Sequence, residues 1–97
     1  MVALTKRDLE YINNYFQREG DIEIKTIDTS ERLCVISVPV FDGQEDTADA
    51  HKIITIPVSY GYDGEDVYVY DAPTILSNED ISIISDAVTE VYEQHIA

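Results

Sequence analysis

Ninety-seven residues give room for one domain around one modest core. Twenty acidic residues face six basic ones, a formal net charge of −14, yet 44% of the chain is apolar, too much for a disordered protein. Nucleic acid, with about one negative charge per 1.7 Å of duplex axis, repels such a chain, and so do anionic membrane surfaces. No apolar run approaches the roughly 20 residues of a spanning helix, and the opening MVALTKRDLEY turns polar too soon for a signal peptide.

The first element is a helix over 6–19. Thr5 followed by Asp8 resembles a capping box; Leu9, Ile12 and Phe16 recur at helical spacing, with Gly20 as the stop. Strand-like runs follow. Ile22 and Ile24 alternate with Glu23 and Lys25, and Asp28-Thr29-Ser30-Glu31 reads as a turn. Residues 32–41 present Cys34, Ile36, Val38 and Val40 to one face, and residues 52–62 do the same with Ile54, Ile56, Val58 and Tyr60. These two runs echo one another, Ile36-Ser37-Val38-Pro39-Val40 against Ile54-Thr55-Ile56-Pro57-Val58. Each carries a proline that cannot donate to a ladder and so belongs at a bulge or an open edge. The lone Cys34 has no disulfide partner and lies in an apolar run, as a buried, inert thiol of a cytoplasmic protein would.

Asp63-Gly64 predicts a two-residue hairpin pairing Tyr62 with Glu65, Tyr60 with Val67 and Val58 with Val69. That register puts Pro57, Ser59, Tyr68 and Tyr70 on the face opposite the apolar set. A final helix starts after Ser77, with Asp80 completing a second approximate capping box and Ile81, Ile84, Val88, Val91 and Tyr92 forming its apolar stripe. The order α-β-β-β-β-α predicts an α+β domain, a four-stranded antiparallel meander with the helices packed on one face. Residues 42–50 (DGQEDTADA) form a long acidic loop.

The charge is unevenly placed. All six bases, Lys6, Arg7, Arg18, Lys25, Arg32 and Lys52, fall in the first 52 residues; that half sums to −5, and residues 53–97, with nine acids and no Lys or Arg, sum to −9. On the last helix Glu79, Asp86, Glu90 and Glu93 fall within about 60° of one another, opposite the apolar stripe, over about 21 Å of axis. Like charges four residues apart repel, and acids near a helix C-terminus oppose its dipole. A helix selected for stability alone would intersperse Lys or Arg. Local conflicts of this kind belong to functional surfaces, although acidic faces also serve solubility.

Catalytic chemistry finds little support. The only histidines, His51 and His95, have no sequence neighbour in a triad-like arrangement, and His95 falls near the apolar stripe of the last helix. Asp42, Glu45, Asp46, Asp49 and His51 offer hard ligands without the spacing of a calcium loop, so no metal site is assigned. The four glycines form no phosphate-binding or dinucleotide pattern, and no cofactor is expected. Tyr62, Tyr68 and Tyr70 interleave with Asp63, Glu65, Asp66 and Asp71 around the hairpin. If Tyr68 and Tyr70 are exposed, they and these acids make a mixed anionic and aromatic patch suited to an Arg-rich partner.

Small, acidic and without catalytic motifs, the chain resembles the phage-type anti-restriction and anti-CRISPR inhibitors in size and charge. The expectation is a non-enzymatic protein that binds a basic, nucleic-acid-binding protein by mimicking nucleic acid, through Asp63, Glu65, Asp66, Tyr68, Tyr70, Asp71, Glu79, Asp86, Glu90 and Glu93. Two alternatives share the composition: an immunity- or antitoxin-like neutraliser of a basic nuclease, and an accessory subunit, with homodimerisation through a strand edge open to it.

Overall fold

A computed structural model describes residues 5–45 and 48–96, the side chains of 48, 95 and 96 excepted. The elements run α1 (Lys6–Tyr15), β1 (Phe16–Arg18), β2 (Glu23–Asp28), β3 (Leu33–Asp42), β4 (His51–Tyr62), β5 (Val67–Tyr70) and α2 (Asn78–Ile96). The fold is α+β: two helices and a curled antiparallel sheet in which β2, β3, β4 and β5 form the expected meander.

The first helix is shorter than its apolar spacing predicts. Thr5 caps it in a complete capping box with Asp8, but Phe16 already has extended backbone, φ −89° and ψ 137°. From there the chain is strand: Phe16, Gln17 and Arg18 pair with Asp42, Phe41 and Val40 of β3. Here ladder pairing and inward packing of Phe16 outweigh a helical preference that is weak in aromatic residues. Gly20 is therefore no helix stop. It packs against the Pro39 ring, where a Cβ would lie 3.0 Å from Cγ.

β1 and β2 lie end to end along the same edge of β3, and Pro39 sits opposite the gap between them. Its missing N–H falls where no strand is present to receive it, and its carbonyl accepts from the Glu19 N–H at 2.9 Å. Pro57 has the equivalent solution on β4. Tyr60 donates its N–H to the Arg32 carbonyl, so the even-numbered residues of β4 bond toward β3 and the odd-numbered ones point to the other side. β5 covers that side only from Ser59 to Tyr62, which leaves Pro57 on an open edge. The two echoing pentapeptides lie on adjacent strands, Ile36 opposite Ile56 and Val38 opposite Ile54.

The second hairpin differs from the expected two-residue turn. Tyr62 pairs with Val67 and Tyr60 with Val69, so residues 63–66 form the loop. The cause is the Asp63 carboxylate, whose Oδ1 accepts from the Glu65 and Asp66 N–H groups at 2.9 and 2.8 Å and closes the wider loop. Because the shift is two residues, each side chain keeps its face. Asp28 closes the β2–β3 connection by the same device, accepting from the Ser30 and Glu31 N–H groups.

The core lies between one sheet face and α2. Cys34, Ile36, Val38 and Val40 from β3 and Ile56, Val58 and Tyr60 from β4 meet Leu76, Ile84 and Val88. α1 covers the same face further along, where Ile12 is buried and shares a cavity wall with Phe16 and Ile54. Both helices therefore occupy one side of the sheet. The other side carries Leu33, Val35, Thr55, Pro57, Tyr68 and Tyr70. Burial pushes the Cys34 thiol up to about 11.

Candidate functional site

Where the few bases go decides where net negative charge is left. Arg18 reaches from β1 to α2, donating through Nη1 and Nη2 to the two Asp80 oxygens at 2.5 and 2.9 Å, through Nη1 to the Ile75 carbonyl at 3.2 Å, and through Nε to the Gly20 carbonyl. That guanidinium holds the Asp80 carboxyl down at about 2. Lys52 pairs with the buried Asp42 at 3.3 Å, and the Tyr11 hydroxyl donates to the same carboxylate at 3.2 Å. Burial alone would raise the Asp42 carboxyl, but the Gln44 N–H, Lys52 and Tyr11 together hold it low. Lys25 pairs with Glu23 at 3.1 Å. Lys6 and Arg7 start α1, and Arg32 sits in the β2–β3 turn at φ 56°.

Among the described residues, the acids of residues 53–97 thus have one basic partner, Arg18, which is held by Asp80. α2 shows the result. Ser77 caps it: the Asp80 N–H donates to Ser77 Oγ at 3.2 Å and the Ser77 N–H to Asp80 Oδ2 at 2.7 Å. This is the expected capping box, with Arg18 locked onto it. Ile84 and Val88 are fully buried against the sheet, and Tyr92 stacks on Tyr62 with ring centroids 4.0 Å apart and 13° between planes. A helix fixed by these contacts must turn its opposite face to solvent. Glu79, Asp86, Glu90 and Glu93 are all exposed there, and none forms an ion pair among the described residues. Gln94 approaches Glu90 at 3.5 Å.

The remaining predicted residues belong to a second surface. Tyr68 and Tyr70 are exposed (47% and 51%) rather than covered by a helix. Tyr68 opposes Gly61 and Tyr70 opposes Ser59, so both point to the sheet face away from α2. Tyr70 lies over Gly61, where a Cβ would stand 2.5 Å from its hydroxyl. Glu65, Asp66 and Asp71 are exposed around them, with Asp71 in the left-handed region at φ 52° where the chain leaves the sheet. Asp63 is exposed but committed to structure: besides its two backbone bonds it accepts the Tyr68 hydroxyl at 2.8 Å. Those three donors, the Asp66 N–H foremost, hold its carboxyl below the usual range. The predicted set therefore forms two patches, the α2 stripe and the hairpin, on opposite sides of the two-layer molecule.

Two side chains that matter to the stripe were not among the predicted site residues. Arg18 and Tyr62 fix the position of α2, yet each contact joins elements far apart in sequence, and neither residue type marks such a role. The acidic loop's candidate ligands diverge. Asp42 turns inward to Lys52, whereas His51 Nδ1 meets the Glu19 carboxylate at 2.9 Å on the opposite face. Among the described residues no cluster of His, Cys, Asp and Glu is arranged to hold a metal; Asp46 and the His95 side chain lie outside them. A cleft of about 570 Å³ opens at the start of α2 between Arg18, Ile22, Glu79 and Ile83. Its one guanidinium is spent on Asp80, so it offers an anion little. Among the described residues no helix is long and apolar enough to cross a membrane. No family model matches the chain, and no curated protein or solved structure matches it either.

Proposed function

We propose that this chain is a small non-enzymatic binding protein that occupies the basic groove of a nucleic-acid-binding protein, its α2 stripe standing in for a phosphate backbone. One observation carries the reading: Glu79, Asp86, Glu90 and Glu93 form a solvent-facing carboxylate row with no basic partner among the described residues, on a helix anchored by Ile84, Val88 and Tyr92. Over its roughly 21 Å, one strand of a duplex presents about six phosphates, so four carboxylates form a thinned copy of one strand. Anchoring matters because a carboxylate row held in place loses little freedom on binding, whereas a flexible acidic tail loses much. The field of a −14 chain speeds encounter with a basic groove, and the rigid helix sets the register.

Asp86→Lys together with Glu90→Lys reverses the centre of the row without touching the buried face. The protein is immobilised, and lysate of its native cells is passed over wild type and variant. A captured nucleic-acid-binding protein that elutes with salt, is displaced by added DNA or RNA and is missing from the variant column supports the reading. Equal capture by both proteins removes α2 as the contact surface.

A further inference from the structure

β4 is twelve residues long, but β5 pairs with it only from Ser59 to Tyr62. Asp71, in the left-handed region, turns the chain out of the sheet, Pro73 is buried, and the Thr74 N–H bonds to Asn13 of α1 at 2.8 Å. The edge of β4 from His51 to Val58 is consequently unpaired among the described residues. By the alternation fixed at Tyr60, the outward groups are the N–H and C=O of His51, Ile53 and Thr55 and the C=O of Pro57, which has no N–H. Ile53 is 72% exposed, the most exposed large apolar side chain described, and Thr55 is exposed as well. Beside them lies a cavity of about 350 Å³ lined by Tyr11, Ile12, Phe16 and Ile54. Natural proteins protect long open edges with charge, bulges or proline; here Pro57 guards one end, while Lys52 and His51 at the other are already paired with Asp42 and Glu19.

Charge selects the occupant. Residues 50–62 contain no acid, the longest acid-free run in the second half, and hold His51 and Lys52. Lys6 and Arg7 begin the helix whose Asp8 and Tyr11 line the neighbouring cavity. A basic ligand is drawn to the acidic stripe rather than to this edge. A second copy of the chain can approach here with the least repulsion, since charges further apart than about 8 Å are screened at physiological salt. We infer that two copies associate through the open edge of β4, with an antiparallel two-fold pairing centred on the Ile53–Thr55 segment that continues the sheet across both subunits. The contact is isologous: each outward N–H and C=O of Ile53 and Thr55 meets a counterpart in the second copy, and the two exposed Ile53 side chains are covered together.

Sedimentation velocity over a wide concentration range tests this on the wild type, Ile53→Lys and Thr55→Pro. Both substitutions alter groups that the single chain leaves unpaired and exposed, and circular dichroism checks their folding. Hydrogen exchange on the wild type supplies a readout that needs no variant. The expected result is a concentration-dependent dimer that salt tightens, because screening relieves self-repulsion. Each substitution raises its dissociation constant by about tenfold or more. The Ile53 and Thr55 amides become protected as the dimer forms. A wild type that stays monomeric into the hundreds of micromolar overturns the inference, and so does a dimer indifferent to both substitutions. A monomer whose capture of a basic protein is lost in Thr55→Pro also overturns it, showing that the edge takes a strand of the target instead. Target capture through α2 weakens with salt, so failure of either proposal is seen separately.

Discussion

Arg18 on β1 and Asp80 in the first turn of α2 form a two-pronged ion pair, 2.5 and 2.9 Å, between residues 62 positions apart. Asp80 is 5% exposed and also closes the capping box with Ser77, so one carboxylate holds both the start of α2 and its attachment to the sheet. Asp80→Ala leaves the Arg18 guanidinium half-buried and unpaired and removes the carboxylate's half of the capping box with Ser77. It is expected to cost about 3 kcal/mol, seen as a lower urea midpoint with an unchanged slope. Arg18→Ala should cost a similar amount, and the double variant much less than the sum.

The same pair sets an acid limit. Asp80 titrates at about 2 in the folded chain, against an ordinary 3.8. Its folded value is depressed, so its stabilisation is complete above about pH 4 and is lost as pH falls toward 2. Nearly two pH units correspond to about 2 kcal/mol. Urea midpoints measured from pH 6 to pH 2 should fall across that window, and the fall should be shallower in Asp80→Asn.

Cys34 is expected to resist chemistry. It is fully buried, and burial alone lifts its thiol to about 11, so almost no thiolate exists at pH 8. A thiol reagent at pH 8 should label it only after denaturant is added. Fast labelling of the native protein would mean that the β3–β4 core opens readily.

Tyr68→Phe removes the hydroxyl that donates to Asp63 and leaves the ring. Because the two backbone bonds to Asp63 keep the loop closed, the melting temperature should change by no more than a degree or two. Asp63→Ala removes all three bonds and should be plainly worse. Equal losses in the two variants would show that the hydroxyl, rather than the turn, holds the hairpin.

Much of the fold was legible in the sequence, and the failures have physical causes. Strict alternation in the sequence assigns the even-numbered apolar residues of β3 and β4 to the core, and Cys34, Ile36, Val38, Val40, Ile56, Val58 and Tyr60 are buried there with Ile54 packed against them. The capping boxes at Thr5 and Ser77 needed only local chemistry. Phe16–Arg18 has helical spacing in the sequence, but its strand character comes from pairing with Val40–Asp42, more than twenty residues away. Asp63-Gly64 is a strong two-residue hairpin signal, whereas here the Asp63 side chain caps the backbone two and three residues on and widens the loop. The acidic stripe on α2 was visible as periodicity. Its separation from Tyr68 and Tyr70 was not, since that depends on which sheet face the helix covers.

The charge row also carries a cost that can be measured without a partner. Asp86 and Glu90 repel one another, and Glu90 and Glu93 oppose the helix dipole near its C-terminus. Asp86→Lys with Glu90→Lys leaves positions 86 and 90 alike in charge, but it turns the Glu90–Glu93 repulsion into attraction, places positive charge near the helix C-terminus and cuts the net negative charge. It should therefore raise the melting temperature by a few degrees at low salt, and by less in high salt as screening removes the difference. A lower melting temperature would mean that these carboxylates contribute to the fold.

The most direct test is paired capture from lysate with that charge-reversed protein beside the wild type, eluted by a salt gradient and then by free DNA or RNA. The wild type should retain a nucleic-acid-binding protein that nucleic acid displaces, and the more stable variant should retain none of it. Capture of the same protein, at the same salt, by both would contradict the assignment of the α2 carboxylate row as the binding surface.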